Sequence, residues 1–225
     1  MGKNKISRFA ENLTFPHLFQ PSRQEIMNDF PLQGKWNQEI FKNDKKIVVE
    51  LGCGKGEYVI ALSESEPQNN YIGIDIKGAR LWRGAKTVHE KSLDNVAFIR
   101  TQIELLEYAF APGEVSEIWI TFPDPQIKYK RAKHRLSHPS FLEKYKKILK
   151  PDGIIHFKTD SEFLHGYTLG LLANIPSTIH FSNHDIYHPS NMEVPKVATS
   201  TQTFYEQQYL NEGKKITYIQ FSLEH

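Results

Sequence analysis

Five residues, Gly52-Cys53-Gly54-Lys55-Gly56, constrain this chain more than anything else in it. The β-branched, apolar run Ile47-Val48-Val49-Glu50-Leu51 leads into them, and Tyr58, Val59, Ala61 and Leu62 follow at helical spacing. Extended apolar residues, a turn that tolerates left-handed backbone and then a 3.6-residue period spell strand, tight turn, helix. The alternation recurs. Tyr71 to Ile76 reads as a strand, Lys77 to Lys91 as a helix and Val96 to Arg100 as a strand; Ile118 to Thr121 is a strand after a short helix. Ser140 to Leu149 reads as an amphipathic helix stopped by Pro151-Asp152-Gly153, with a fifth strand over Ile154 to Lys158. Continuous apolar strands separated by helices require cover on both faces, which predicts an α/β fold on a mostly parallel sheet. Ile179 to Asn183 and Ile216 to Leu223 suit a terminal antiparallel pair.

The 225 residues suit one large domain with an appendage. Residues 1–35, interrupted by Pro16, Pro21 and Pro31 and carrying Lys3, Lys5, Arg8 and Arg23, read as an irregular, mobile, mildly basic arm. Residues 36–222 form the expected domain, and Leu223-Glu224-His225 looks like the start of a vector-derived tag. The one cysteine, Cys53, excludes an internal disulfide framework, and no apolar run reaches the 18 or so residues of a membrane span. The expectation is a cytoplasmic protein with no membrane partner.

Glycines after a strand bring backbone close to a ligand, and the helix N-terminus beyond offers free N–H groups, so Gly52, Gly54 and Gly56 point to a nucleotide-like ligand. The G-x-G-x-G spacing is one residue shorter than the dinucleotide fingerprint, and Glu50 stands two residues ahead of it. Asp75 closes the second strand, where an acid accepts hydrogen bonds from both ribose hydroxyls. Acids also suit a ligand carrying a sulfonium and an ammonium, which favours S-adenosylmethionine over a nicotinamide dinucleotide. Cys53 reads as a small space-filling side chain.

The formal charge is only +2, but it is unevenly spread. Lys128 to Lys150 holds nine Lys and Arg against one acid, Glu143, a local net of +8, so the remainder sums to −6. Ligands of open α/β sheets lie beyond the carboxyl ends of strands, and the fourth strand exits into Phe122-Pro123-Asp124-Pro125. Two prolines confine Asp124 there. Lys128, Lys130, Arg131, Lys133 and Arg135 come next, which places the cations at the mouth of the ligand site and predicts contacts to a nucleic-acid backbone.

Phe-Pro-Asp-Pro followed by a Lys/Arg/His-rich stretch, here Phe122 to Leu136, resembles the bacterial tRNA (guanine-N7)-methyltransferases, and the likeness runs from Val48 to Glu206. The resemblance implies a Rossmann-like class I methyltransferase fold and methyl transfer from S-adenosylmethionine to N7 of the variable-loop guanine of tRNA, with S-adenosylhomocysteine as product. By position it makes Glu50, Asp75 and Gln102 cofactor ligands and Asp124 the catalytic carboxylate, also placed at the cofactor. Lys128, Asp160, Thr203, Phe204, Tyr205 and Glu206 match substrate-binding positions. Gln126 stands where the family usually has Trp, and Gln102 where it commonly has Asp or Asn.

Guanine N7 carries an in-plane lone pair and no proton, so its methylation needs positioning and accommodation of positive charge rather than a general base. Asp124 suits that task, and Asp160 or Glu206 could share it. His180, His184 and His188 recur every four residues, but Pro189 and the strand-like Ile179 to Asn183 deny them a shared helical face, so no metal is expected. A dehydrogenase fails on glycine spacing. A non-catalytic RNA-binding module with a vestigial cofactor site is the alternative from another class, opposed by Glu50, Asp75 and the confined Asp124. An exocyclic-amine methyltransferase would favour Asn or Asp-Pro-Pro-aromatic at the fourth strand.

Overall fold

The computed structural model describes residues 3–189 and 193–224. Its elements, in chain order, are α1 (Lys3–Asn12), β1 (Leu18–Phe19), α2 (Arg23–Asp29), β2 (Ile47–Leu51), α3 (Glu57–Ser65), β3 (Asn70–Asp75), α4 (Gly78–Lys91), β4 (Val96–Arg100), α5 (Leu106–Ala109), β5 (Val115–Thr121), α6 (Pro139–Ile148), β6 (Leu149–Thr159), α7 (Glu162–Leu172), β7 (Ser177–Asn183), α8 (Lys196–Thr199), α9 (Phe204–Asn211) and β8 (Thr217–Leu223). A π-type turn covers Trp36–Phe41, and 3-10 turns cover Ile103–Leu105 and Tyr129–His134.

The strands form one sheet in the order β1-β4-β3-β2-β5-β6-β8-β7. Pairing is parallel from β1 through β6 and antiparallel where β8 inserts between β6 and β7. Every residue of β2 and β3 is buried, as strands covered on both faces must be. One core gathers Ile26, Trp36, Val49, Ile74, Ile118 and Phe157; the core on the other face gathers Val48, Tyr58, Leu81, Phe98, Trp119 and Tyr218. Register aligns the carboxyl ends that matter, with Asp75 opposite Arg100 and Thr121 opposite Lys158.

One expectation is corrected. Residues 1–35 are not irregular: α1, β1 and α2 occupy most of them, β1 pairs with β4, and Phe15, Leu18, Ile26, Phe30 and Leu32 are buried. Prolines there separate short elements that find their apolar cover in the sheet rather than in each other; Met1 and Gly2 lie outside the described residues. Leu223, the first residue of the expected tag remnant, is buried and paired with Ser177 at the end of β8; His225 lies outside the described residues. Between β6 and β7 lies a further helix, α7, which Ser161 caps by accepting from Leu164 N.

Candidate active site

The glycine turn is pinned to β3, because Gly52 N and Cys53 N both donate to Ile74 O, at 2.8 and 3.0 Å. Gly52 and Gly54 have φ of +75° and +57°, and a Cβ on either would meet nothing within 4 Å, so their backbone faces open space. Gly56 differs. A Cβ there would lie 2.7 Å from the Phe98 ring, so its small size serves the close seating of α3 on the sheet.

Glu50 is buried at the end of β2, its Oε2 accepting from Val59 N at 3.1 Å and its Oε1 from Thr121 Oγ1 at 2.6 Å. Burial pushes its carboxyl up to about 7, against the pull of the Thr121 and Val59 hydrogen bonds. Asp75 Oδ2 accepts from Gly54 N at 3.0 Å and Oδ1 from Lys77 N at 2.7 Å. A cavity of about 120 Å³ lies between the glycine turn, Glu50 and Thr121 on one side and Thr203 and Tyr205 on the other. A second, of about 450 Å³, is lined by Ile76, Arg100, Gln102 and Arg23. Asp75 links the two: it bonds Gly54 of the first, and Ile76 of the second follows it in the chain. Open glycine backbone, two buried acids and a half-exposed Ile76 fit a cationic nucleoside ligand. Gln102 is exposed there, and its Oε1 accepts from Arg23 Nη1 of α2 at 2.8 Å.

Cys53 is buried against this turn. Burial first, then the Glu50 and Asp75 charges, push its thiol well above the usual range, so it stays protonated and unreactive.

Beyond β5, Phe122 N donates to Lys158 O at 2.8 Å, and the chain enters left-handed backbone twice, at Phe122 (φ 49°) and Gln126 (φ 45°). Neither residue is glycine, so each conformation costs roughly 1–2 kcal/mol and must be held by its surroundings. Phe122 lines the glycine-turn cavity, whereas Asp124 is exposed beside it and does not. Asp124 Oδ1 accepts from Gln126 N at 3.1 Å. Lys128, Lys130 and Lys133 are exposed, with no side-chain partner among the described residues; Arg131 is also exposed and donates Nε–H to Gln126 Oε1 at 2.8 Å.

Arg135, expected at the RNA backbone with them, is placed differently. It is only 6 % exposed, its guanidinium lying 4.8 Å from the Phe163 ring centre and 4.4 Å from that of Tyr167. An alternating basic run on a 3-10 turn turns one member inward, and the run of charges gives no sign of which.

The third rim comes from the C-terminal segment. Thr203 caps α9 by accepting from Glu206 N, and Phe204 N donates to Glu57 Oε2 at 2.8 Å, which brings Thr203 and Tyr205 over the glycine turn. Phe204 and Tyr205 are exposed. Glu206 is not accessible as the expectation of a substrate contact requires: it is fully buried, with Oε1 at 2.6 Å from Lys158 Nζ and accepting from Tyr187 O–H at 2.7 Å. Its Oε2 has no hydrogen-bond partner among the described residues. Lys158 Nζ also donates to Ala198 O and Thr201 O, at 2.6 and 3.3 Å. Burial lowers the Lys158 pKa, opposed by the Glu206 charge. Asp160 is partly exposed and 3.4 Å from Lys214 Nζ.

Three participants escape a reading of motifs alone. Arg23 reaches Gln102 from the arm, and the Ser22 to Glu25 capping box, present here in full, is the signal that marks its helix. Thr121 holds Glu50, and Lys158 holds Glu206. Of the histidines, His180 Nε2 pairs with Ser222 Oγ at 2.9 Å. Among the described residues no three His, Cys, Asp or Glu side chains are arranged to hold a metal.

Residues 44–219 match the family model described as a putative methyltransferase. The chain is 63% identical to the tRNA (guanine-N(7)-)-methyltransferase of Christiangramia forsetii over 99% of both chains. With the protein of that name from Bacteroides thetaiotaomicron it shares 47% identity, over 99% of this chain and 87% of the relative. A solved 16S rRNA methyltransferase superposes with a TM-score of 0.63 at 11% identity, over 84% of this chain and 92% of that one, a likeness of fold. A parallel sheet with its glycine turn, Phe-Pro-Asp-Pro at the neighbouring strand exit and full-length identity at this level place the chain in the tRNA (guanine-N7-)-methyltransferase family.

Proposed function

We infer that the protein transfers a methyl group from S-adenosylmethionine to N7 of guanine in tRNA, at the variable-loop guanine, and works in the cytoplasm. The observation that carries this reading is the meeting, beyond the carboxyl ends of β2 and β5, of the glycine-turn cavity and a backbone-fixed carboxylate followed by exposed cations. No described helix is long and apolar enough to cross a membrane, which agrees with the location.

S-adenosylmethionine, when bound, supplies a methyl group on a positively charged sulfur. Glu50 and Asp75 would face its cationic and ribose portions, Gly52 and Gly54 would let it approach the backbone, and Ile76 and Gln102 would border its base. Because N7 has no proton to lose, no residue need act as a base. Asp124 accepts one internal hydrogen bond, from Gln126, and keeps acceptor capacity for the N–H edge of guanine. Its negative charge also offsets the positive charge that develops on the purine. Lys128, Lys130, Arg131 and Lys133 would meet phosphates. Tyr205 and Phe204, exposed beside the turn, offer aromatic faces to an unstacked base.

The test is a tRNA with 7-deazaguanine at the variable-loop position, which keeps the shape, phosphates and N–H edge but puts carbon in place of N7. It should bind with unchanged affinity and accept no labelled methyl group. Methylation of that nucleotide would overturn the N7 assignment, and undiminished labelling elsewhere would move the target. Absence of any transfer to unmodified tRNA would leave an RNA-binding module.

A further inference from the structure

One buried guanidinium sits directly behind the loop that presents Asp124. Arg135 donates Nε–H and Nη2–H to Gln126 O, at 3.3 and 3.1 Å, and Nη2–H to Ile127 O at 3.4 Å. The same residue, Gln126, donates its N–H to Asp124 Oδ1 at 3.1 Å, and its side-chain oxygen is held by Arg131. Gln126 is thus gripped at N–H, carbonyl and side chain, and it is one of the two non-glycine residues in left-handed backbone at this exit. A conformation that disfavours itself persists only where neighbours over-determine it, and Arg135 supplies the buried one of these holds: a charged, forked donor with Phe163 and Tyr167 of α7 fixing its plane.

We propose that Arg135 is a positioning residue for methyl transfer, which through the Gln126 carbonyl fixes the loop that sets Asp124 against guanine, and that it touches no phosphate. The proposal rests on the reading of Asp124 as the carboxylate that meets guanine. Arg135 cannot reach solvent without leaving both rings and three carbonyl bonds. Its neighbours Lys130, Arg131 and Lys133 are exposed and carry the electrostatics of RNA binding. A lysine at position 135 keeps the charge but loses the fork and the planar stacking, so the two roles predict opposite outcomes for the same substitution.

Arg135→Lys and Arg135→Met are compared with Lys130→Ala and Asp124→Ala in single-turnover methylation, tRNA binding across a salt series and calorimetric binding of S-adenosylmethionine. Cofactor affinity serves as the check on folding, and Arg135→Lys decides the matter if the Met variant does not fold. Both Arg135 variants should lower the single-turnover rate on the order of 10²-fold, as loss of alignment does, with tRNA affinity and the slope of log K against log salt unchanged. Lys130→Ala should lower that slope by about 0.7 to 0.9. Near-normal turnover in Arg135→Lys, or a reduced salt slope in Arg135→Met, overturns the proposal and returns Arg135 to phosphate binding. If Asp124→Ala itself turns over normally, the reading of Asp124 fails; if Asp124→Ala is inactive and Arg135→Lys is normal, only the role of Arg135 fails.

Discussion

Two rims of the site carry acids that look alike in the sequence and differ in what surrounds them. At the β5 exit, Asp124 is exposed, takes one backbone N–H and is followed in the chain by exposed lysines with no side-chain partner among the described residues. On the C-terminal rim, Glu206 is fully buried against Lys158 and Tyr187, and those contacts gather the segment that lies over the glycine turn. Partners decide what a carboxylate can do. An acid with open acceptor capacity and access can meet a substrate, whereas one locked in a buried ion pair shapes the wall against which the substrate rests.

The difference between the rims is most open to challenge at the buried pair. Lys158→Met leaves Glu206 buried without its cation and should cost about 3–5 kcal/mol of stability in urea unfolding, while Lys158→Met with Glu206→Met should recover most of it. If the single variant unfolded like the wild type, the C-terminal rim would not depend on this pair. At the other rim, Asp124→Ala should lower the single-turnover rate on the order of 10²-fold and leave stability nearly untouched, because the residue is exposed and its contribution belongs to the transition state. A large drop in melting temperature would make Asp124 a structural acid like Glu206.

Smaller effects separate exposed charge from buried charge. Reversing Lys130 and Lys133 to Glu should weaken binding of all tRNAs and lower the salt slope by about 0.7 to 0.9 for each phosphate that is no longer neutralised, with cofactor affinity unchanged. An unmoved slope in a filter-binding titration would mark the cluster as a solvated face. The least conspicuous effect belongs to Glu50, whose folded carboxyl titrates near 7 against an ordinary 4.5. Between those values the folded chain keeps a proton that the unfolded chain releases, so this contribution to stability is full below about pH 4.5 and declines as pH climbs to about 7. Binding a cation beside Glu50 near pH 7 should expel that proton, visible as a calorimetric heat that varies with the buffer's ionisation enthalpy. Glu50→Gln should flatten both dependences, and a buffer-independent heat in the unsubstituted protein would remove Glu50 from contact with the ligand's charge.

Much of the architecture was legible because it is local. A strand that ends in glycines and a helix with an apolar stripe announce themselves within a dozen residues, which is why β2 to β5, α4 and α6 lie close to where periodicity puts them. The arm was not legible, since α1, β1 and α2 are too short to stand alone and are stabilised by partners far along the chain, such as Gly78 O for Asn12 and β4 for β1. The site divides the same way. Glu50, Asp75 and the glycines follow from strand-end position, whereas the burial of Arg135 and Glu206 depends on Phe163, Tyr167 and Lys158, whose approach no spacing reveals.

The place of β8 bears on how the molecule is made. It lies between β6 and β7, so β7 has no neighbour in the sheet until residues 217–223 arrive. During synthesis those residues leave the ribosome after every other strand, and Ile186, whose N–H bonds to Ile216 O, waits for them too. The glycine turn and the β5 exit can form on a nascent chain before residues 217–223 are made, whereas β7 gains its sheet neighbour only once they are. The half of the site built by β2 and β5 therefore precedes in the chain the strand that braces the opposite half.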